Sequence, residues 1–556
     1  MKPAILSVQD LRITLKKAGE LVDIVKNICF SIHPGETLAV VGESGSGKSI
    51  TARAIMQLLD EHIFHQTGSI HLQKKDGQSI NVLDASSHRQ STYRGNDAAM
   101  IFQEPMTSLN PVMRIGDQIT EAVHAHKKIS RKEAHDKAIH WLGNVQLPNP
   151  VEMMTRFPHQ LSGGQKQRVM IAMAMINEPS LLIADEPTTA LDATTQKEIL
   201  QLIASLQQSS GMSLLFITHD LGIVKQIANH VVVMKNGLIV EQGTTTQIFQ
   251  HAQHPYTKAL IECRPINYKK GQRIPVWNED LSGIHELTTS NETKNTIHTD
   301  EIPALQIEAL RIIYKGQWSL FGKRSPDHEA IRNVDMVVHQ GETVGLAGES
   351  GCGKTTLART ILGLTEPSEG KILFNGKPIH NEHLKRHQEI QLVFQDPYSS
   401  LNPRIQIGKA IEEPLLVHGR FEKRKEAKEY VQDLLKKVQL DPDHYHRYPH
   451  QFSGGQRQRI VIARALAQQP DFIIWDEAVS ALDVRVQAQI LNLINDLKNI
   501  YHFSSLFISH DLSVIKYICD RMYVMKEGRF VENGTPEEIW NNPKDPYTRR
   551  LLEAVL

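Results

Sequence analysis

A chain of 556 residues is too long for one hydrophobic core and calls for roughly two to four domains. With 62 Lys and Arg against 62 Asp and Glu it has no formal net charge, so nucleic acid is not the expected partner. Its four cysteines, Cys29, Cys263, Cys352 and Cys519, form no C-x-x-C pair, which argues against a disulfide framework or a zinc ribbon and fits a reducing cytosol.

No window approaches a run of apolar residues long enough to span a bilayer, and the N-terminus lacks the apolar segment of a signal peptide. Any membrane spans would come from other chains. The 27 histidines include groups such as His444, His446 and His450, but no thiol or carboxylate pattern accompanies them, so solvated or structural histidine is expected.

The first predicted element is a strand over Leu6 to Leu15, read from apolar alternation. The run Leu38-Ala39-Val40-Val41 then leads into Gly42-Glu43-Ser44-Gly45-Ser46-Gly47-Lys48-Ser49, and a helical pattern follows from Ile50 to Leu59. Strand, glycine-rich loop and helix in this spacing make a phosphate-binding loop. Gly42, Ser44, Gly45 and Gly47 bring backbone N–H groups around phosphates, Lys48 reaches the β- and γ-phosphates, and Ser49 ligates Mg²⁺.

The polar segment from Glu61 to Gly95 reads as a strand-and-loop excursion, and Pro105 to His159 as a small helical subdomain in which Arg131 to Leu142 has helical spacing. The runs Leu181 to Ala184 and Leu214 to Ile217 read as buried parallel strands, the first ending in Asp185-Glu186 and the second followed by His219. Lys269 to Glu301 is polar and irregular and is expected to be a flexible linker. As a coil of about 35 residues it would reach about 30–35 Å.

The remainder repeats the beginning. Lys354 stands 306 residues after Lys48, Gln395 stands 292 after Gln103, and Ser453, Glu477 and His510 each stand 291 after Ser162, Glu186 and His219. A second phosphate-binding loop, Gly348-Glu349-Ser350-Gly351-Cys352-Gly353-Lys354-Thr355, follows Val344 to Ala347. Leu305 to Tyr314 echoes the first strand, Lys423 to Val438 the subdomain helix, and Phe472 to Trp475 and Leu506 to Ile508 the buried strands. The expected fold is α/β: two tandem P-loop NTPase domains, each with a helical subdomain.

Leu161-Ser162-Gly163-Gly164-Gln165-Lys166-Gln167-Arg168 and Phe452-Ser453-Gly454-Gly455-Gln456-Arg457-Gln458-Arg459 each precede a helix. Between a phosphate loop and a strand ending in Asp-Glu, these octapeptides closely resemble the signature of the ATP-binding cassette (ABC) family, and the resemblance covers nearly all of the chain except the linker. It implies two cassettes, 1–265 and 303–556, each with a RecA-like mixed sheet, joined by 266–302.

By that resemblance two cassettes face head to tail with ATP between one phosphate loop and the opposite signature. Lys48 and Ser49 would share a nucleotide with Ser453, Gly455 and Gln456, and Lys354 and Thr355 with Ser162, Gly164 and Gln165. Asp185 and Asp476 would hold Mg²⁺, and Glu186 and Glu477 would polarise the attacking water. Gln103 and Gln395 match the glutamine at the metal and water, and His219 and His510 the switch histidine at the γ-phosphate. Asp192 and Asp483 match the loop that crosses the interface. Tyr314 and Trp318 stand where the family supplies an aromatic under adenine; the first half has Leu15 there, so aliphatic packing is expected.

The phrases Gln103 to Pro111 and Gln395 to Pro403, together with His254-Pro255-Tyr256-Thr257 and Asp545-Pro546-Tyr547-Thr548, resemble the ATPase subunits of dipeptide, oligopeptide and nickel importers, here fused as in microcin C-type peptide importers. This implies an ATPase using ATP and Mg²⁺ at the cytoplasmic face of the cell membrane. It implies as partners two integral-membrane permease subunits and, indirectly, a periplasmic or extracellular solute-binding protein. Some relatives carry a cysteine cluster; with Cys263 alone in that region, no iron–sulfur cluster is expected. The alternatives are a soluble tandem ATPase working on ribosomes or nucleic acid, and an exporter ATPase. The first lacks its long charged linker helix and zinc cysteines, and the second is disfavoured by the importer-like phrases.

Overall fold

The computed structural model describes residues 3–17, 20–84, 87–103, 108–189, 191–278, 283–285, 301–316, 326–379, 388–480 and 482–555. The chain divides into two compact units, one of Met1–Leu191 and Thr195–Ile261, the other of Asp192–Thr194 and Glu262–Val555.

The first unit begins with β1 (Leu6–Lys17), β2 (Glu20–Ile32), β3 (Thr37–Val41), α1 (Lys48–Ile55), β4 (Phe64–Gln73), β5 (Ser79–Asn81) and β6 (Ala98–Ile101). It continues with helices α2 (Ile115–His124), α3 (Arg131–Asn144) and α4 (Gly163–Met175), then β7 (Leu181–Asp185), α5 (Ala193–Ser210), β8 (Ser213–Thr218) and α6 (Leu221–Ile227). It closes with β9 (His230–Lys235), β10 (Leu238–Thr244) and α7 (Pro255–Glu262). One sheet, in the order β2-β1-β4-β5, is antiparallel. The other runs β10-β9-β3-β8-β7-β6 and is parallel except where β10 meets β9.

Every residue of β3, β7 and β8 is buried, because apolar cores cover both faces of this sheet. The two-residue period sorts the side chains. Leu181 and Ile183 of β7 join the core shared with α1 and β1, whereas Leu182 and Ala184 join the core shared with α2 to α5. The expected excursion between Glu61 and Gly95 is β4, β5 and a short helix, Ser87–Tyr93; β4 has ten residues. Helix α3 starts at a capping box, Ser130 Oγ accepting from Glu133 N–H at 3.2 Å and Glu133 accepting from Ser130 N–H at 2.8 Å.

The second unit repeats the plan. Its elements are β11 (Val276–Asn278), β12 (Gly283–His285), β13 (Leu305–Tyr314), β14 (His328–Val338), β15 (Thr343–Ala347), α8 (Lys354–Ile361), β16 (Glu369–Phe374), β17 (Lys377–Pro378) and β18 (Ile390–Val393). After these come α9 (Ile407–Val417), α10 (Arg424–Lys437), α11 (Gly454–Leu466), β19 (Phe472–Asp476), α12 (Val484–Tyr501) and β20 (Ser504–Ile508). The unit ends with α13 (Leu512–Ile518), β21 (Arg521–Lys526), β22 (Arg529–Gly534) and α14 (Pro546–Glu553). Its larger sheet has the order β18-β19-β20-β15-β21-β22, with the strand before the glycine-rich loop again inside the sheet.

The expected flexible linker, 266–302, starts differently. From Glu262 onward the chain belongs to the second unit, where Cys263 and Ile274 are buried in the core and Tyr268 and Val276 pack against it. Asn492 of α12 takes both backbone groups of Ile274, accepting its N–H at 3.1 Å and donating to its carbonyl at 2.8 Å. Arg273 donates to both Asp496 oxygens at 2.9 and 3.1 Å, Tyr517 Oη donates to the Gln272 carbonyl at 2.8 Å, and Lys270 pairs with Asp520. Four widely spaced apolar or sulfur side chains in a polar stretch have no strand or helix period, so this docking leaves no pattern in the sequence. Residues 279–282 and 286–300 of the expected linker lie outside the described residues.

Candidate functional site

In each unit the site forms where the buried parallel strands end. The Gly42 backbone has φ 152°, and a Cβ there would lie 2.2 Å from the Met234 carbonyl oxygen, so only glycine lets the loop leave β3. Lys48 is 5% exposed, and its ammonium donates to the Gly42 and Glu43 carbonyls at 2.7 and 2.8 Å. Lys354 repeats this on Gly348 and Glu349 at the same two distances. Ser44, Gly45 and Ser350 face solvent at the loop crest.

Ser49 Oγ donates to Asp185 Oδ1 at 2.9 Å, and the Thr355 hydroxyl bonds Asp476. Burial, with the neighbouring glutamate charge adding to it, pushes the Asp185 and Asp476 carboxyls above the usual range. A cation there would reverse that shift. The oxygen-only donor set of hydroxyl, carboxylate and glutamine suits a hard ion that keeps much of its water shell.

Glu186 and Glu477 sit one residue past their strands in left-handed backbone, φ 47° and 50°, which costs about 1–2 kcal/mol for a side chain of this kind. Their N–H groups hold the conformation by donating to the Ile217 and Ile508 carbonyls at 2.9 and 3.0 Å. The strain turns each carboxylate toward its partners. Gln103 Nε2 donates to Glu186 at 2.9 Å and Gln395 Nε2 to Glu477 at 2.7 Å. His219 Nδ1 lies 3.3 Å from Glu186, and His510 Nδ1 lies 3.4 Å from Glu477. Burial alone would raise both glutamates, but the histidine and the loop lysine hold them below the usual range. A buried, ionised carboxylate between an amide and an imidazole can orient a water and accept its proton as bonds form.

The signature residues stand on a different element, the N-termini of α4 and α11. Ser162 and Ser453 are exposed capping-box residues, accepting from the Gln165 and Gln456 N–H groups at 3.3 and 3.4 Å. A Cβ on Gly164 would meet Thr195 at 2.6 Å and one on Gly455 would meet Val486 at 2.4 Å, so these glycines admit the following helix. Tyr314 ends β13 with 43% of its surface exposed, while Trp318 lies outside the described residues. Among the described residues no group of three or more His, Cys, Asp or Glu could hold a metal by itself.

Sequence reasoning missed three groups. Thr189 Oγ1 donates to Glu186 at 3.0 Å. Phe64 of β4 stands directly opposite Leu15 in the antiparallel register. Tyr256 and Tyr547 accept from the phosphate-loop N–H groups of Glu43 and Glu349 at 3.3 and 3.0 Å. The signal for the last pair was available, since Tyr547 follows Tyr256 by the same 291 residues that separate the signature serines, the glutamates and the histidines.

The family model described as ABC transporter matches residues 25–189 and 331–480, which hold both phosphate loops, both glutamines, both signature segments and both Asp-Glu pairs, while His219 and His510 lie beyond the matched segments. The chain belongs to the ABC transporter family. A second model, oligopeptide/dipeptide transporter, C-terminal region, matches 240–289 and 531–556, the segments that carry both tyrosines. The chain is 45% identical to the glutathione import ATP-binding protein GsiA of Pectobacterium atrosepticum over 99% of its length and 89% of that protein. It is 46% identical to GsiA of Escherichia coli O6:H1, with the same coverage. Among solved structures, cbiO1 of Clostridium perfringens, part of a cbiONQ transporter complex, aligns with 44% of the chain and 92% of its own at 27% identity and a TM-score of 0.38. This ABC protein thus carries two tandem cassettes of P-loop type and hydrolyses ATP as a transporter ATPase of the oligopeptide and dipeptide group.

Proposed function

We propose that this ABC ATPase drives the uptake of small peptides, glutathione among them, through two separate membrane permease subunits fed by a solute-binding protein. The observation that carries the reading is the complete Lys, Ser or Thr, Asp, Glu, Gln and His cluster in both cassettes, coupled with relatives named as glutathione importers. Among the described residues no helix is long and apolar enough to cross a membrane. Exposed Phe102 and Val112 near Gln103, and Phe394 and Tyr398 near Gln395, offer apolar contacts for cytoplasmic permease helices at the membrane's inner face.

In this reading Glu186 and Glu477 each orient a water toward a γ-phosphate, His219 and His510 hold the glutamate and reach the phosphate, and Gln103 and Gln395 report its state to the helical subdomain. Ser49, Asp185 and Gln103, and Thr355, Asp476 and Gln395, would hold Mg²⁺. When bound, that ion would neutralise phosphate charge. The exposed caps at Ser162 and Ser453, with Gly164, Gln165, Gly455 and Gln456, would complete the nucleotide held by the other cassette's lysine, because a helix N-terminus favours anions.

Membrane vesicles holding the transporter test this directly. Uptake of labelled glutathione should depend on ATP and stop in the Glu186→Gln, Glu477→Gln double variant, with ATPase activity down at least about a hundredfold. Undiminished hydrolysis in that variant would remove the catalytic assignment. ATP-driven uptake of nickel without peptide uptake would remove the cargo.

A further inference from the structure

The Pro-Tyr-Thr phrases have no part in the chemistry above, yet the fold puts each tyrosine under a phosphate loop. Tyr256 is fully buried and Tyr547 nearly so. Each phenol oxygen accepts a loop N–H, that of Glu43 at 3.3 Å or of Glu349 at 3.0 Å. The same peptide unit carries the Gly42 or Gly348 carbonyl, and this carbonyl accepts the loop lysine at 2.7 Å in both cassettes. A trans peptide directs its N–H and C=O to opposite sides. The phenol and the ammonium therefore grip one peptide plane from its two edges, and each bond polarises the other.

We propose that Tyr256 and Tyr547 are positioning residues that set the phosphate-loop lysine of their own cassette for nucleotide, making the C-terminal segment of this transporter group a working part of the ATP site. The tyrosine helices are themselves held in place. Glu241 accepts the N–H groups of Gln253 and His254 at 2.7 and 3.2 Å, and Glu532 those of Lys544 and Asp545 at 2.8 and 3.1 Å, which pins the turn before α7 and before α14. Lys235 and Lys526, ending β9 and β21, lie over the tyrosine rings at 5.1 and 5.3 Å from the centroids. The arrangement occurs twice with the same partners, although the loops differ at Ser46 and Cys352.

Tyr→Phe keeps the ring and its packing and removes the hydroxyl, so the part-buried loop N–H loses its phenol acceptor. The inference rests on both loop lysines binding nucleotide phosphate, so it is tested by binding resolved between cassettes. In full-length protein with a protease site inserted between residues 286 and 300, 8-azido-ATP is titrated, photolysed, and the label apportioned to each half. Tyr256→Phe should raise the half-saturating concentration of the first half about fivefold, the size of one lost hydrogen bond, with the second half within about twofold. Tyr547→Phe should give the mirror image. In ATPase assays of the assembled transporter the variants should raise KM and leave kcat at saturating ATP within about twofold. No shift, or the same shift in both halves, would overturn the proposal. Wild-type protein that labels only one half would refute the two-site reading instead, and that half would still decide the role of its own tyrosine.

Discussion

Gln395 donates its side-chain amide to the Glu477 carboxylate at 2.7 Å, across the joint between the sheet and the helical subdomain. Gln103 makes the same bond to Glu186 at 2.9 Å. An amide at this position can hold the carboxylate or release it, depending on where the subdomain lies. Replacing both glutamines by alanine should lower kcat about tenfold while ATP binding changes little, because the carboxylate stays but loses its orientation. Steady-state ATPase assays with binding titrations separate these effects, and a rise in KM alone would count against the role.

The exposed signature serines predict a crossed effect. On the proposed pairing of each signature with the other cassette's lysine, Ser453→Arg should impair trapping of nucleotide at the Lys48 site and leave the Lys354 site within about twofold. Labelling of the two halves by trapped nucleotide reads this out. A loss confined to the Lys354 site would reverse the pairing.

The Glu477–His510 pair sets a pH window. Burial works to lower His510, but Glu477 outweighs it and holds the imidazole above its ordinary 6.5; burial works to raise Glu477, and His510 with Lys354 holds it below its ordinary 4.5. The histidine contribution is fully present below pH 6.5 and is lost as pH rises through the raised value. The glutamate contribution is present above pH 4.5 and is lost as pH falls through the lowered value. Glu477→Gln should therefore cost most stability between pH 4.5 and 6.5, about 1–2 kcal/mol, with the difference shrinking toward alkaline pH. Thermal melts of nucleotide-free protein across that range check it; a difference independent of pH would contradict the pair.

The proposed adenine positions differ between the cassettes. Phe64 faces Leu15 across the β1–β4 pair, and Leu15 ends its strand pattern in the first cassette where Tyr314 does in the second. Phe64→Ala should weaken nucleotide at the first site, and Tyr314→Ala at the second, each about five- to tenfold. Fluorescent-nucleotide titrations of the two variants measure this. An unaltered first site would mean that Leu15 alone packs the base.

The site was legible wherever its chemistry is local in the chain. Gly42 to Ser49 sits between a strand and a helix as read, and Asp185-Glu186 ends a strand whose burial on both faces makes it a continuous apolar run. Helix α3 was legible for the same reason, its spacing and its cap lying within one short stretch. Tyr256 was legible only through its recurrence at Tyr547 and not through its contact, because its partner is a backbone N–H 213 residues earlier and no side-chain pattern records such a bond. Phe64 depends on a register that only the paired strands define. The docking of 263–276 rests on Asn492, Asp496, Tyr517 and Asp520, which become neighbours only after α12 and α13 have packed.

That docked stretch has a genetic corollary. Helix α7 places Tyr256 at its start and runs without interruption into residues seated on α12, which begins just after Asp483, and α13, which begins two residues after His510. Were the reading frame divided between codons 286 and 300, the seated stretch would become the tail of the upstream polypeptide and would still find its berth on the downstream one. Two co-expressed pieces should then copurify and support growth on peptide, and Arg273→Ala, by removing the grip on Asp496, should loosen them. On this view one reading frame can be replaced by two, closed by a stop codon and reopened by a new start between codons 286 and 300.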